Sequence, residues 1–386
     1  MNINTDSLIL KVSQNIDLGK LDISKYDDFL DELCLHREYQ KEAIKEAVRF
    51  LLGGEYQSIE QLAKENFEHN QDLQEYYGTL ENLKKRIELK NKLACTIDLA
   101  TGTGKSWVIY AIAQILLCEG AVDRVLVLCP SVTIESGLIE KFKELSTNPN
   151  LKATLPVNSF YQNPSIINGS ETISKGAICI ENIQAIYSKT GSSIRKSLEN
   201  KGERTLVLND EAHHIMNLIE VASTSEKTSI KKWKEFLLDP QFNFKYIVNF
   251  TGTPYIGNNY FADVIYRYNI MEAMEGKKAG NFVIKKINYV EKEDAISEKE
   301  RMEIIYQNHK NNKKNYPLVK PLTIFITQKI NGAEKLINKI KDFLREKEGL
   351  SIEEVEKKII IVTSSPKHKE FVEALKKVDN KSNPIE

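Results

Sequence analysis

Hydrophobic positions along the chain fall into short continuous runs that alternate with helical stretches. The runs rich in β-branched residues lie at 93–100, 124–130, 176–182, 205–210 and 246–252. Helical patterns separate them, among them 105–118 and a stretch around 134–145. Strands that are apolar on both faces and alternate with helices are typical of a parallel sheet covered on both sides. The pattern therefore predicts an α/β fold.

The segment before the first of these strands predicts helices of two kinds. Within 35–52 the apolar residues recur at helical spacing, and Gly53 and Gly54 end the pattern. This stripe consists of Leu35, Tyr39, Ile44, Ala47, Val48 and Leu51. The stretch near 55–91 is charged on nearly all sides, with a thin stripe of Leu73, Tyr77, Leu80 and Leu83. We therefore expect 35–52 to pack on the sheet and 55–91 to be a helical insertion at the surface.

The pattern changes again after the last of these strands. Residues 291–320 are dense in charge and end in a basic Asn-Lys cluster and prolines, which predicts a linker. Strand-like runs then return at 321–327 and 358–364, with an amphipathic helix near 332–347 and a last helix near 366–377. About 70 residues are too few for a complete domain of typical size. The predicted organisation is an N-terminal extension (1–34), a first domain (35–290), a linker (291–320) and an incomplete second domain (321–386).

Composition narrows the class of protein. Hydrophobic residues make up 41% and charged residues 28%, as in globular proteins. Lys plus Arg equals Asp plus Glu at 54 each, so contact with nucleic acid would need local groups, helix N-termini and backbone amides. The same neutrality fits an enzyme with no polyanionic partner.

The cysteines and the N-terminus bear on the compartment. Five scattered cysteines without a CxxC pair indicate buried reduced thiols instead of a disulfide framework or a zinc ribbon. The first residues do not read as a signal peptide, and no apolar run is long enough to span a membrane. We therefore expect a cytoplasmic protein that does not associate with membranes.

A glycine-rich turn joins the first strand to the next helix in "DLATGTGKS", residues 98–106. The turn consists of Thr101, Gly102, Thr103 and Gly104. Its backbone N–H groups would surround phosphate oxygens at the start of a helix whose dipole favours anions. Lys105 would neutralise phosphate charge and Ser106 would offer its hydroxyl to Mg²⁺. The strict P-loop pattern has glycine where this chain has Leu99. The alternative is an ordinary glycine-rich turn.

A second polar site follows the apolar strand in "TLVLNDEAHHI". Asp210 lies at the carboxyl end of that strand, where a metal-binding acid belongs, and Glu211 could orient and deprotonate an attacking water. Acids at this place could instead only cap the following helix. His213 and His214 lack the HExxH spacing and a nearby third ligand, so we expect no zinc site.

The motifs "ATGTGKS", "DEAHH" and "FTGTP", in this order, resemble motifs I, II and III of the superfamily 2 helicases and translocases. "REYQKEAI" resembles the glutamine motif of that superfamily. "VLVLCPSVTIESGLIEKF", the doubled histidine and the segment after "TGTP" resemble the restriction (Res) subunits of type III restriction–modification enzymes. The resemblance covers about residues 35–327. It implies a RecA-like P-loop NTPase domain, with a parallel sheet between helices, followed by the start of a second RecA-like domain.

The resemblance also implies roles at the nucleotide. Gln40 would hydrogen-bond the adenine edge, although it could be an ordinary exposed helix residue. Lys105 and Ser106 would hold the phosphates of ATP and Mg²⁺. Asp210 would bind the metal through water, and Glu211 would activate the hydrolytic water.

A further set of roles concerns nucleic acid. His213 would connect the nucleotide site to Thr251 and Thr253, which link hydrolysis to the nucleic-acid face. Pro130 and Ser131 would present a hydroxyl and amides to a backbone phosphate. The alternatives are a tight turn after a core strand and a helix N-cap, respectively.

The function implied by the resemblance is an ATP-dependent motor. It would translocate on double-stranded DNA beside a methyltransferase (Mod) subunit, within a type III site-specific endodeoxyribonuclease. Motifs V and VI, the latter with its arginine fingers, and a nuclease domain have no counterpart in this sequence. We expect ATP binding, weak hydrolysis and no productive translocation. The alternatives are another superfamily 2 DNA or RNA helicase, outside restriction, and a truncated ATP-binding module without motor activity.

Overall fold

The computed structural model describes most of the chain, and the chain divides into two compact units, Met1–Lys286 and Ile287–Glu386. The described residues are 4–14, 21–186, 192–216, 232–279, 297–315, 317, 321–327, 329–363, 365–368 and 370.

The first unit is built on a parallel sheet. Its strands are β1 (Leu93–Leu99), β2 (Arg124–Cys129), β3 (Ser165–Ile167), β4 (Ala177–Asn182), β5 (Thr205–Asn209), β6 (Tyr246–Thr251), β7 (Tyr255–Ile256), β8 (Asn259–Tyr260) and β9 (Val264–Tyr268). Strands β7 and β8 form a separate two-stranded hairpin. The other seven strands form one sheet in the order β3–β4–β2–β5–β6–β1–β9, and all neighbours in it are parallel. Every residue of β1 is buried, as expected of a strand covered on both faces. The predicted fold class is confirmed.

Helices flank this sheet. They are α1 (Asp27–Cys34), α2 (Glu38–Leu52), α3 (Ile59–His69), α4 (Gln71–Tyr77), α5 (Leu80–Arg86), α6 (Lys105–Cys118), α7 (Val132–Thr147), α8 (Pro149–Ala153), α9 (Ile194–Leu198), α10 (His213–Met216), α11 (232–238) and α12 (Ile270–Glu275). Nearly all of α6 is buried beyond its first turn, because it packs against the sheet and against α1, α2 and α7. Among the described residues, no helix is long and apolar enough to cross a membrane.

The sequence pattern located most of the sheet but not all of it. The five predicted strands are present, with ends that agree to within one residue. β3 was not predicted because it is short and only partly buried. β9 was not predicted because it follows the β7–β8 hairpin directly and lacks a preceding helix of its own. All five cysteines are buried and free, as predicted.

The prediction that 55–91 is a surface insertion is wrong. The stretch forms three short helices, α3 to α5, and each turns a narrow apolar side inward. Ile59, Leu62, Leu73 and Leu83 are fully buried in the main core. The helical stretch is interrupted at Asn70 and again at Gly78.

The predicted apolar stripe of 35–52 is correct except at its first member. Leu35 is 55% exposed and ends α1 with a φ of 54°. The helix that carries the rest of the stripe begins only at Glu38. Leu35 therefore belongs to the turn between α1 and α2.

The second unit contains α13 (Glu298–Asn315), α14 (Ile330–Glu348) and α15 (Ile352–Lys358). Helix α13 lies within the segment predicted as a linker, and the domain limits stay a prediction. The described parts of the two predicted strands, 321–327 and 358–363, contain no strand: Lys358 ends α15 and the rest is unpaired. Of the predicted last helix, residues 366–368 form a 3₁₀ turn and nearly all the rest lies outside the described residues.

Candidate active site

Three neighbouring strands deliver the predicted motifs to one edge of the sheet. β6 lies between β1 and β5, with Asp98 opposite Thr251 and Asn209 opposite Asn249. Because parallel strands end at the same edge, the glycine turn after β1, Thr251 at the end of β6 and the acids after β5 all meet there. The topology thus brings together segments that are far apart in the sequence.

The glycine turn has the backbone that the motif requires. Gly102 and Gly104 have φ angles of 84° and 80°, which lie in the left-handed region where glycine is favoured. The Thr103 hydroxyl donates to the carbonyl of Ala100 at 2.6 Å and closes the turn. Helix α6 begins at Lys105, so its first N–H groups lack helical acceptors and face the turn. A phosphate fits such a turn.

Gln40 lies against this turn. Its Nε2 donates to the carbonyl of Thr103 at 2.8 Å, and a Cβ built at Gly104 would lie 2.6 Å from the same nitrogen. Tyr39 also donates to the Thr103 carbonyl, at 2.8 Å. Gln40 is 1% exposed, so it is not the exposed helix residue considered as its alternative. Its contact with adenine stays a prediction.

Lys105 and the DEAH acids converge in space. Lys105 Nζ lies 3.1 Å from Glu211 Oε1. Glu211 has a φ of 52°, and this left-handed conformation is strained by roughly 1–2 kcal/mol for a residue with a Cβ. The strained backbone turns the chain sharply after Asp210, so that the carboxylate of Glu211 faces the glycine turn. The lysine and the acid are therefore in position to act on one bound group.

Asp210 fits the metal-binding role for an electrostatic reason. It is 7% exposed, and its carboxylate accepts the N–H of Glu211 at 3.1 Å. Burial raises the pKa of Asp210 to about 6, although the nearby Lys105 opposes the shift. A buried carboxylate of this kind gains from an added cation. No cluster of three or more His, Cys, Asp or Glu side chains among the described residues could hold a metal. Coordination of Mg²⁺ by Asp210, Ser106, phosphate oxygens and water stays a prediction.

His213 connects the acids to the third motif. Its Nδ1 lies 3.0 Å from Thr251 Oγ1 and 3.5 Å from Glu211 Oε2. Thr251 Oγ1 also accepts the N–H of Thr253 at 3.0 Å. Burial lowers the pKa of His213, and His214 lowers it further, so the ring is neutral at pH 7. The three predicted coupling residues form one continuous network.

Pro130 and Ser131 lie at the same edge of the sheet, after β2. Ser131 is the N-cap of α7, and its Oγ accepts the N–H of Ile134 at 3.4 Å. The helix-cap alternative is therefore present in the structure. Contact of this helix start with a nucleic-acid phosphate stays a prediction.

Two features of the site were missed from the sequence. Asp98, near the end of β1, lies with Oδ2 at 3.1 Å from Nε of Arg267 and accepts the hydroxyl of Tyr260 at 3.0 Å. Burial raises the pKa of Asp98 to about 6, against the pull of Arg267. The signal in the sequence was an acid inside an otherwise apolar strand, "LACTIDL".

The second missed feature is Gly252, in the middle of "TGT". A Cβ built there would lie 3.0 Å from the carbonyl oxygen of Leu99 and 3.1 Å from the backbone nitrogen of Thr101. Only a residue without a side chain lets the third motif approach the glycine turn this closely. The sequence pattern gave no distance between these two segments.

The chain matches one protein family and is similar, at low sequence identity, to several solved structures. A sequence model of the family described as "Type III restriction enzyme, res subunit" matches residues 34–256. A search of curated proteins returned no match.

Solved structures similar to the chain include the UvsW helicase from bacteriophage T4, with 15% identity over 49% of this chain and 58% of that chain, at a TM-score of 0.27. The Sulfolobus solfataricus SWI2/SNF2 ATPase core in complex with dsDNA has 14% identity, over 67% of this chain and 56% of that chain, at a TM-score of 0.27. S. cerevisiae Dbp5 bound to RNA and ADP BeF3 has 14% identity, over 73% of this chain and 71% of that chain, with a TM-score of 0.27. The chain covers little more than half the length of the first two.

Proposed function

Because the chain belongs to the family of type III restriction enzyme res subunits, we propose that its first unit binds and hydrolyses ATP as the motor of a DNA translocase or helicase. The observation that carries this proposal is the 3.1 Å distance between Lys105 Nζ and Glu211 Oε1. A P-loop lysine and a catalytic acid at this separation can contact the same terminal phosphate and its attacking water.

The residues of the site have distinct tasks in this reaction. Lys105 moves from Glu211 to the phosphates when ATP binds, which leaves the Glu211 carboxylate free to accept a proton from water. The N–H groups of the glycine turn hold the phosphate oxygens. Ser106 and Asp210 would hold Mg²⁺, which would supply neutralising charge at the phosphates.

The contacts that join Glu211, His213 and Thr251 would couple ATP hydrolysis to nucleic-acid binding. His213 touches both Glu211 and Thr251, so a change at the γ-phosphate alters the position of the TGT segment. Ser131 and the start of α7 would hold a phosphate of double-stranded DNA. We further propose that the protein works in the cytoplasm with a methyltransferase (Mod) subunit, as part of a type III site-specific endonuclease. Family membership supports these finer assignments.

Stimulation of ATP turnover by nucleic acid tests the proposal. Turnover is measured without nucleic acid and with duplex DNA, single-stranded DNA or RNA, for the natural chain, Lys105→Ala and Glu211→Gln. Lys64→Ala is the matched control, because Lys64 lies on the surface with 59% of its side chain exposed. We expect the turnover of the natural chain to be weak and to rise with duplex DNA, and both site variants to lose it.

Two other outcomes would overturn the proposal in different ways. Stimulation by RNA alone would place the protein among helicases outside restriction. ATP binding without any stimulated turnover would make the first unit an ATP-binding module without motor activity.

A further inference from the structure

Arg267 joins the edge strand of the sheet to the strand that leads into the glycine turn. It lies on β9, and its register partner on β1 is Asp98. Arg267 Nε lies 3.1 Å from Asp98 Oδ2, and the two side chains are only 14% and 5% exposed. Burying two charges adds little net stability even when they are paired, so the pair calls for another reason. The sequence motifs assign no role to Arg267.

The N-terminal segment holds the other side of the Arg267 guanidinium. Arg267 Nη1 lies 2.7 Å from Asp6 Oδ1 and also donates to the hydroxyl of Thr5. The backbone N–H of Leu10 donates to the carbonyl of Val264 at 2.8 Å, so the same segment is bound to β9. Arg267 is therefore fixed from two sides, and the N-terminal segment contributes to its position.

Asp98 also binds the hairpin that follows the third motif. Its Oδ2 accepts the hydroxyl of Tyr260 at 3.0 Å, and Arg267 Cζ lies 5.5 Å from the centroid of the Tyr260 ring. Tyr260 belongs to β8 and pairs with Tyr255 of β7, which follows "TGTP" directly. The position of this hairpin relative to β1 thus depends on the contacts of Asp98 with Arg267 and Tyr260.

Asp98 stands between Arg267 and the third motif itself. Thr251 of β6, Asp98 of β1 and Arg267 of β9 are register partners. Register partners in a sheet point to the same face, so the three side chains form one row. His213 continues the row, because its Nδ1 lies 3.0 Å from Thr251 Oγ1. The row therefore extends from the segment after β5 to the N-terminal segment.

We propose that Arg267 is a positioning residue for ATP hydrolysis, which acts through Asp98 and Tyr260 on the third motif and the glycine turn. The inference rests on the proposed function, since it concerns the hydrolysis step at the same site. Without the guanidinium, the Asp98 carboxylate is an uncompensated buried charge and takes up a proton or water. Water beside Asp98 competes with the Tyr260 hydroxyl, and the hairpin loses its fixed place.

The measurement compares turnover with binding of the ground state. Turnover at saturating ATP, Mg²⁺ and duplex DNA and the affinity for a non-hydrolysable ATP analogue are determined for the natural chain, Arg267→Met and Tyr260→Phe. Arg267→Met should lower kcat by about 10–100-fold, because small displacements of catalytic groups have effects of this size. The dissociation constant of the analogue should change by less than about threefold, because the phosphate-binding groups remain. Tyr260→Phe keeps the ring and the ion pair and should show the same split with a smaller loss of kcat.

Two further variants separate positioning from a loss of folding. Arg195→Met is the matched control, because Arg195 forms a similar pair with Asp239, at 2.9 Å, outside the candidate site. Its kcat should stay within about twofold of the natural chain. The double variant Arg267→Met/Asp98→Asn should lose no more kcat than the more affected single variant, because both residues act through one contact. Thermal unfolding identifies a temperature at which each variant is folded, and Tyr260→Phe decides if Arg267→Met does not fold.

Three results would overturn the inference alone. Stimulated turnover of the natural chain with an unchanged kcat in Arg267→Met and Tyr260→Phe would show that the row only supports the fold. Equal losses of kcat and of analogue affinity would place Arg267 in ground-state binding. Losses that multiply in the double variant would mean that Arg267 and Asp98 act separately. If the natural chain has no turnover with any nucleic acid, the proposed function fails and the inference with it.

Discussion

Similar apolar runs are buried in the first unit of the chain and exposed in the second. In the first unit, β6 lies between β1 and β5, and its Ile247 is fully buried. In the second unit, the run 321–327 has the same β-branched character, but Ile324 and Ile326 are 73% and 91% exposed. A β-branched run becomes a strand only where neighbouring backbones accept and donate its hydrogen bonds. Composition sets the propensity and neighbours decide the outcome.

The polar residues of the two units differ in the same way. The first unit buries acids at the carboxyl edge of its sheet, including Asp98 and Asp210, and it contains every residue of the candidate site. The second unit pairs charges on the surfaces of its helices, for example Lys339 with Glu298 at 2.6 Å. Exposed pairs of this kind add little stability. Burial of these acids therefore lowers the stability of the first unit at its candidate site. Among its described residues, the second unit has no comparable group of buried acids.

The largest expected effect is on catalysis at that edge. Glu211→Gln should lower ATP turnover by about 10²–10⁴-fold, because a general base contributes about that much. The variant should unfold at nearly the same temperature as the natural chain, since the amide is isosteric and the side chain is partly exposed. Steady-state turnover and thermal unfolding measure the two quantities. Turnover within about tenfold of the natural chain would contradict the assigned role of Glu211.

A pair of matched substitutions tests the contrast between the two apolar runs. Ile247→Ala should lower the free energy of unfolding by about 2–5 kcal/mol, because it leaves a cavity in the packed core. Ile326→Ala should change it by less than about 0.5 kcal/mol, because the side chain is exposed. Unfolding followed by circular dichroism measures both. Equal losses would mean that the second run is packed in solution.

A substitution at Asp210 should separate stability from activity. Its pKa of about 6 lies above the ordinary 3.8, so the charged carboxylate destabilises the fold above about pH 6. This destabilisation disappears below about pH 4, where folded and unfolded chains are both protonated. Without metal, Asp210→Asn should therefore raise the unfolding temperature at pH 7.5, by the equivalent of about 1–3 kcal/mol, while ATP turnover is lost.

The same substitution at pH 4 is its control. The unfolding temperatures of Asp210→Asn and the natural chain should approach each other there. A variant that is less stable than the natural chain at pH 7.5 would show that the carboxylate is already compensated.

The smallest expected effect is on the pH profile. The apparent affinity for Mg²⁺, measured through turnover at limiting Mg²⁺, should fall as the pH drops below about 6, because protons then compete with the metal for the Asp210 carboxylate. The apparent dissociation constant for Mg²⁺ should rise about twofold at pH 6 and about tenfold at pH 5. His213 has a lowered pKa and should add no further change between pH 7 and 8. A profile that is flat down to pH 5 would contradict this assignment.

The sequence predicted those parts of the fold that a single strong local pattern specifies. Five buried strands showed as continuous apolar runs, and the glycine turn showed because left-handed backbone there requires glycine. The burial of α3 to α5 was missed, because each short helix has only a few inward residues and the charges around them dominate the pattern. The hidden part of the fold was thus the part in which tertiary packing overrides local composition.

The candidate site shows the same division. Lys105 and Glu211 could be identified from their motifs. The strand order then places Lys105 Nζ 3.1 Å from Glu211 Oε1. The left-handed conformation of Glu211 was not predictable, because glutamate rarely adopts it. The pair of Asp98 with Arg267 was hidden as well, since it joins β1 to a strand, β9, that the pattern did not reveal.

The central claim is that Lys105 and Asp210 act on one Mg²⁺-bound triphosphate. The most direct measurement is the calorimetric dissociation constant of a non-hydrolysable ATP analogue with Mg²⁺, for the natural chain, Lys105→Ala, Asp210→Asn and the double variant. Each single substitution should weaken binding, and the double variant should weaken it by clearly less than the product of the two effects, because groups that share one ligand are coupled. Independent, multiplicative losses, or unchanged affinity in Asp210→Asn, would show that the loop and the acids serve different sites.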